Sequence, residues 1–271
     1  MNKLIQAGRI AYAICIAGIG IQQFQYKWVR PVIAQAWPAW LQTAVVAYVT
    51  GTALIVAAVI IIMSKEAKQT AFLLGCGFLF LFIVNQVPFQ LFITPYAFSF
   101  GLWTDNLKEL TLAGGAFVVA SSYYVAPQQN SMPLSAASKT LLAACRVFFG
   151  ITLVVFGIDH FLYTDFVAGL VPAWMPGHLF WTYTAGVALI GSGISLMLNI
   201  KLFTVSLLLG SMLFLWLILL HIPRAVADPL SGKGNEVTSV FEALGFSGMA
   251  FMIAAVSILL RKPVITDMDK W

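Results

Sequence analysis

Eight stretches of apolar residues, each long enough to cross a lipid bilayer and separated by short connections, leave this chain little to fold into except a bundle of membrane helices. The runs fall at approximately 7–26, 41–63, 70–96, 107–126, 139–163, 179–199, 202–226 and 239–261. A hydrocarbon core of about 30 Å needs about 20 helical residues at about 1.5 Å rise each. In lipid, only helices and closed barrels satisfy their own backbone polar groups. Composition agrees: of 271 residues, 61% are hydrophobic and 9% charged, against about 25% charged in a soluble domain. The predicted fold class is all-α, a polytopic membrane protein with eight transmembrane helices. The net charge of +5 does not mark a nucleic-acid binder, because the basic residues sit in connections, where they orient a membrane chain. Cys15, Cys76 and Cys145 lie inside apolar runs and form no C-x-x-C pair, so they read as small core residues rather than disulfide or relay thiols.

The chain also resembles itself. Arg9, Ile14, Gly20-Ile21, Phe24 and Tyr26 recur 137 residues later as Arg146, Ile151, Gly157-Ile158, Phe161 and Tyr163. Pro38-Ala39-Trp40 recurs as Pro172-Ala173-Trp174, and Gly51 to Ile55 match Gly186 to Ile190. Gly75 and Pro88 fall on Gly210 and Pro223, then Glu109 and Gly115 on Glu242 and Gly248. Apolar composition alone would not align Pro, Trp and Glu in order. The pattern predicts two four-helix units, 1–126 and 139–271 with its short tail, joined by a Pro-, Gln- and Ser-rich linker at 127–138. An even number of crossings per unit makes the repeats parallel. Because the first run reappears in mid-chain, it is expected to be a permanent span rather than a cleaved signal. The segments 27–40 and 164–178, which carry the Pro-Ala-Trp motifs, are too short to span and are expected at the membrane interface.

Charge predicts orientation. The termini and the connections after the second, fourth and sixth spans hold ten basic residues: Lys3, Arg9, Lys65, Lys68, Lys139, Arg146, Lys201, Arg261, Lys262 and Lys270. The opposite side holds five, Lys27, Arg30, Lys108, Arg224 and Lys233. The positive-inside tendency then puts both termini in the cytoplasm.

On the other side stand Asp105, Glu109, Asp159, Asp165, Asp228, Glu236 and Glu242, with His160, His178 and His221. Asp159-His160 close the fifth span, His221-Ile-Pro-Arg224 the seventh, and Glu242 opens the eighth, so alternating helix directions bring these ends to a similar depth. A charge in hydrocarbon costs at least about 2.5–3.5 kcal/mol unless paired or hydrated. His160, His221, Asp159, Glu242 and Arg224 are therefore the candidate catalytic residues. Asp159 and Tyr163 share a helix face, and His160 points about 100° away. Pro223 is expected to bend the seventh span and free a carbonyl beside His221 and Arg224. Glu242 is expected to gain from the positive end of its helix dipole, with Gly245 and Gly248 allowing close approach of a neighbour. The first half has Gln22-Gln23 in place of Asp159-His160 and Gln86 in place of His221, but keeps Glu109 in place of Glu242. That difference points to a specialised second half; drift after duplication is the competing reading. Equally bland readings exist for single residues: interfacial histidines need bind nothing, His178 reads as solvated, and Arg9 and Arg146 read as anchors. Within the expected spans no His, Asp or Glu pair stands at metal-ligand spacing on one helix; a metal held between helices stays open.

Four crossings per unit, Gly157-Ile-Asp-His160-Phe161, Val171-Pro-Ala-Trp174-Met-Pro176 and Gly186-Val-Ala-Leu-Ile190 together resemble the DoxX family of bacterial membrane proteins, over all four spans of the second half and more loosely in the first. The resemblance implies a bacterial inner-membrane protein associated with oxidoreductase assemblies, and the related DoxD proteins add thiosulfate:quinone oxidoreduction as a class. It implies a quinone or quinol as cofactor, with Tyr163 and Trp174 as candidate binding residues, and a redox partner protein, since no haem, flavin or iron–sulfur motif is present. In that picture His160 or His221 accepts the quinol hydroxyl proton, Asp159 or Glu242 orients the imidazole or relays the proton, and Arg224 stabilises the developing oxyanion. The chain departs from a plain four-helix DoxX protein by its duplication, and its cysteines offer no thiol motif. The competing expectation is a small-solute or proton-coupled carrier, or a non-catalytic membrane anchor or assembly subunit; Asn85-Gln86-Val-Pro88 is a polar break of the kind carriers use.

Overall fold

Apolar segments whose backbone bonds must close internally fold here into helices throughout. A computed structural model describes residues 1–125 and 136–259. The long helices are α1 (Asn2–Tyr26), α2 (Ala44–Met63), α3 (Ala67–Leu81), α4 (Phe100–Val125) and α5 (Ala136–Leu162). A short α6 (Thr164–Leu170) precedes α7 (His178–Met197), α8 (Leu202–Trp216), the short α9 (Ile222–Ala227) and α10 (Asn235–Leu259). Of the expected linker, 127–135 lie outside the described residues, as does the tail from 260; 136–138 already belong to α5.

Among the described residues, seven helical stretches are long and apolar enough to cross a membrane: Asn2–Tyr26, Ala44–Met63, Ala67–Ile93, Ser138–Leu162, His178–Met197, Leu202–Ala227 and Asn235–Leu259. The chain is a polytopic helical membrane protein. The eighth expected span, 107–126, forms α4 but is not apolar enough to count with these. Its surroundings explain why. Residues 109–122 are buried without a break, so α4 meets other helices instead of lipid and can carry Asn106, Lys108, Glu109 and Thr111.

The packing order is not the chain order. α1 lies along α2 and α10, α5 along α4 and α7, α3 on α4, and α8 on α10, while α4 and α10 meet in the centre. The most apolar stretch of α10 is 72% buried against 22% for the α3 span, which puts α10 inside and α3 against lipid. Small residues permit the closest approaches, since packing rather than hydrophobicity holds helices together in lipid. A Cβ on Gly20 would lie 2.8 Å from the Gly51 carbonyl oxygen, and one on Gly157 would lie 2.7 Å from that of Gly186. Beside the first pair Phe24 stacks on Tyr48 at 5.3 Å; beside the second, Phe161 stacks on Tyr183 at 5.5 Å.

The α3 and α8 helices widen into π-helical turns at Phe82–Gln86 and Leu217–His221. Pro88 and Pro223 follow. A proline lacks the amide donor and crowds the carbonyl four residues back, and a widened turn absorbs that misfit. The expected irregularity at Pro223 is therefore a π turn running into α9.

The two Pro-Ala-Trp segments differ. Residues 164–170 form the short helix α6 with no buried residue, as suits an interface. The 27–40 segment instead tucks Val29, Arg30, Val32, Ile33 and Ala34 into the protein, where the start of α10 holds Arg30. Arg30 Nη1 donates to the Lys233 carbonyl at 2.8 Å and Nη2 to Thr238 Oγ1 at 3.0 Å. Gln22 accepts from Thr238 Oγ1 at 2.8 Å and donates to the Gly234 carbonyl at 3.0 Å. Gly234 has φ 80°, and a side chain there would run into Tyr26. Cys15 and Cys145 are buried, whereas Cys76 is exposed on α3 rather than in the core.

Candidate functional site

Three polar groups gather near the end of the bundle where α5 and α8 finish and α4 and α10 begin. The innermost is an ion pair between the central helices: Lys108 Nζ lies 3.3 Å from Glu242 and 2.9 Å from Asp105. Exposure falls along this row, from 60% for the Asp105 side chain to 12% for Lys108 and 6% for Glu242, so one end is wet and the other dry. Glu242 is eight residues into α10 (Asn235–Leu259), beyond the first turn where a helix dipole acts. Its stabilisation comes from Lys108, with Arg30 also within electrostatic reach, and not from the helix terminus.

The second group is on α8 and α9. Arg224 donates to both carboxylate oxygens of Glu236, at 3.0 and 2.6 Å. This bidentate fork occupies the guanidinium that was expected to face a developing oxyanion. His221 is half-buried and lies within electrostatic reach of Glu236, Lys108 and Arg224, which links the second group to the first.

Asp159 and His160 diverge, as their 100° separation requires. Asp159 accepts a short hydrogen bond from Thr104 of α4, and Tyr163, on the same face, accepts one from the Gly101 amide at 3.5 Å. His160 turns the other way: its Nδ1 bonds the Phe156 carbonyl at 2.7 Å and its ring stacks with Trp216 at 6.3 Å and 21°. Asp159 therefore does not orient the imidazole of His160. Trp174 is 68% exposed and stands apart from the cluster, and half-buried His178 begins α7 instead of lying in a loop.

A shallow groove of about 280 Å³ runs between α7 and α8, lined by Ala188, Gly191, Ser192, Val205, Leu208 and Met212 among others. Val205, Leu208 and Met212 share a helix face, and Trp216 continues it one turn on. The last lining residue on α8, Met212, is thus one helical turn from Trp216, which stacks on His160.

In the first half, Glu109 is fully buried and neither of its oxygens receives a hydrogen bond. Gln86 stands beside it without closing a well-aligned bond; its Nε2 donates to the Pro31 carbonyl at 3.0 Å and its Oε1 is unpartnered. Nearby, Asn106 bridges Gln35 and Gln90 at 2.8 and 3.0 Å.

Sequence reading missed Lys108, Asp105, Glu236, Arg30, Thr104 and Trp216. Lys108 had a signal: a lysine between Asp105 and Glu109 at the start of an otherwise apolar run needs a partner. Arg30 had none, because its loop looked interfacial. No cluster of three His, Cys, Asp or Glu side chains that could hold a metal occurs among the described residues. The chain matches no family model, no curated protein sequence and no solved structure.

Proposed function

We propose that the chain is a quinone- or quinol-binding membrane protein of DoxX-like kind, acting as a membrane subunit of an oxidoreductase. The observation that carries this reading is the apolar groove between α7 and α8, whose lining on α8 reaches Met212, one helical turn short of Trp216, the indole on which His160 stacks. An apolar groove suits an isoprenoid tail, an indole and imidazole suit a flat ring, and the His160 Nε2, left as an acceptor by the Nδ1 bond to the Phe156 carbonyl, suits a quinol hydroxyl. His221 is the group placed to take a hydroxyl proton, with Glu236 and the Lys108–Asp105 row as its way to water. Electrons leave to a partner protein, since the chain has no redox motif of its own.

The architecture we infer is a tandem duplication. It is supported by the paired Gly20–Gly51 and Gly157–Gly186 contacts, the paired Phe–Tyr stacks, and two π turns 135 residues apart. Taking α4, about 39 Å long by its 26 residues, as an eighth crossing gives eight spans. The basic side chains at one end then put both termini in the cytoplasm of a bacterial inner membrane.

The test is quinone extraction from purified protein, followed by titration of a short-chain ubiquinone analogue against tryptophan fluorescence. Trp216→Leu and His160→Ala should each weaken binding by about tenfold. Unaltered affinity in both, with a folded protein, refutes the site. A proton-coupled carrier is the second reading, favoured by the unpartnered carboxylate of Glu109 beside a π turn. Solute uptake driven by a pH gradient in liposomes, abolished by Glu109→Gln, would select it.

A further inference from the structure

At the opposite end of the bundle, Arg9 is an uncompensated charge facing a cleft. Its Nε donates to Ser122 Oγ at 2.8 Å, and its guanidinium carbon lies 3.5 Å over the Tyr123 ring. Its Nη2 is buried and makes no hydrogen bond. Among the described residues Arg9 forms no ion pair. Neutral partners hold the side chain in place but leave its charge unbalanced, and an anion is what such a group lacks.

The cleft beside it measures about 460 Å³ and lies between the start of α1, the end of α2 and Tyr123 of α4. Its polar lining is made of donors: Arg9, Lys65, Asn2, Gln6 and Ser64, with no Asp or Glu among them. Its outer wall is apolar and open to lipid, with Ile10 37%, Ile62 50% and Met63 82% exposed. A site that is basic at its floor and greasy at its rim fits an amphiphile whose head is an anion.

We propose that this cleft binds an anionic phospholipid, with the phosphate between Arg9 and Lys65 and an acyl chain against Ile10, Ile62 and Met63. The guanidinium offers a fork to two phosphate oxygens, the lysine a point charge, and Asn2, Gln6 and Ser64 neutral donors for the rest of the head. Inorganic phosphate shares the headgroup chemistry but would leave the apolar rim uncovered. This assignment does not depend on the quinone reading, because the two places are at opposite ends of the helices.

The experiment is native mass spectrometry of the full chain in detergent, titrated with phosphatidylglycerol, with phosphatidylcholine, and with inorganic phosphate. Phosphatidylglycerol should bind more tightly than phosphatidylcholine. Each near-surface cation is worth about a fivefold change, so Lys65→Gln and Arg9→Gln should each weaken phosphatidylglycerol binding by about that factor. Arg9→Lys should retain much of it, and Lys27→Gln, at the other end, should change nothing. Lys65 is exposed, so its variant tests the site even if Arg9→Gln fails to fold. Equal affinity for the two lipids, or no loss in Lys65→Gln, overturns the proposal. So does millimolar phosphate that displaces the lipid with the same Arg9 dependence, which would make the cleft a soluble-anion site.

Discussion

Glu242 of α10 and Glu109 of α4 are both buried acids on the two helices that meet in the centre, yet their surroundings are opposites. Glu242 has Lys108 at 3.3 Å; Glu109, the very next residue after that lysine, receives no well-aligned hydrogen bond and forms no ion pair among the described residues. Both are sealed from solvent. One lysine on α4 points across to α10, and α10 carries no lysine or arginine to answer Glu109. The difference teaches that two buried acids on packed central helices need not share an electrostatic environment: a central helix can serve its neighbour's carboxylate while leaving its own unserved. It also separates two kinds of buried acid, one in an ion pair and one without a well-aligned hydrogen bond.

The comparison breaks first at the ion pair. Lys108→Met should destabilise the protein by about 3–5 kcal/mol, because buried Glu242 loses its partner, and Glu242→Gln by less, because Lys108 keeps Asp105 at 2.9 Å; the double variant Lys108→Met/Glu242→Leu should recover most of the Lys108→Met loss. Reversible unfolding in detergent monitored by circular dichroism measures both, and equal losses in the single and double variants would contradict the pairing. The scaffold side of the comparison is sharpened by Gly20→Val and Gly157→Val. Each forces a side chain against a backbone carbonyl, so each should cost about 1–3 kcal/mol, with similar values in the two halves if the contacts are equivalent. A smaller effect is expected at Arg224→Gln. The side chain is 35% exposed, so loss of the Glu236 fork should cost about 1 kcal/mol or less and shrink further in high salt. The smallest belongs to Glu109→Gln, which removes no hydrogen bond and should shift stability by less than about 0.5 kcal/mol. A loss as large as that of Glu242→Gln would erase the contrast.

Much of the fold was legible because hydrophobic length is a local property. Seven spans were readable from runs of apolar residues, and Pro223 with its disturbed turn declared itself by residue type. The α4 span was overestimated in apolar character because a helix shielded on every side by other helices need not resemble one that faces lipid. Asp159 and His160 show where adjacency misleads: neighbours on a helix point to different partners, here Thr104 and Trp216. Arg224 was legible as a polar residue near His221, but its commitment to Glu236 depended on how the connection before α10 folds back.

The sequence by itself determined that this chain crosses a membrane repeatedly, which segments do so, and that its titratable groups crowd toward one end. Those follow from the free energy of moving residues into hydrocarbon, which is summed along the chain. Only the tertiary structure decided that α1 packs on α10 and α5 on α4, that Lys108 answers Glu242, and that Arg30 is drawn inside. Coulombic and hydrogen-bond energies depend on distances of a few ångströms between residues far apart in sequence, and no local pattern carries that information.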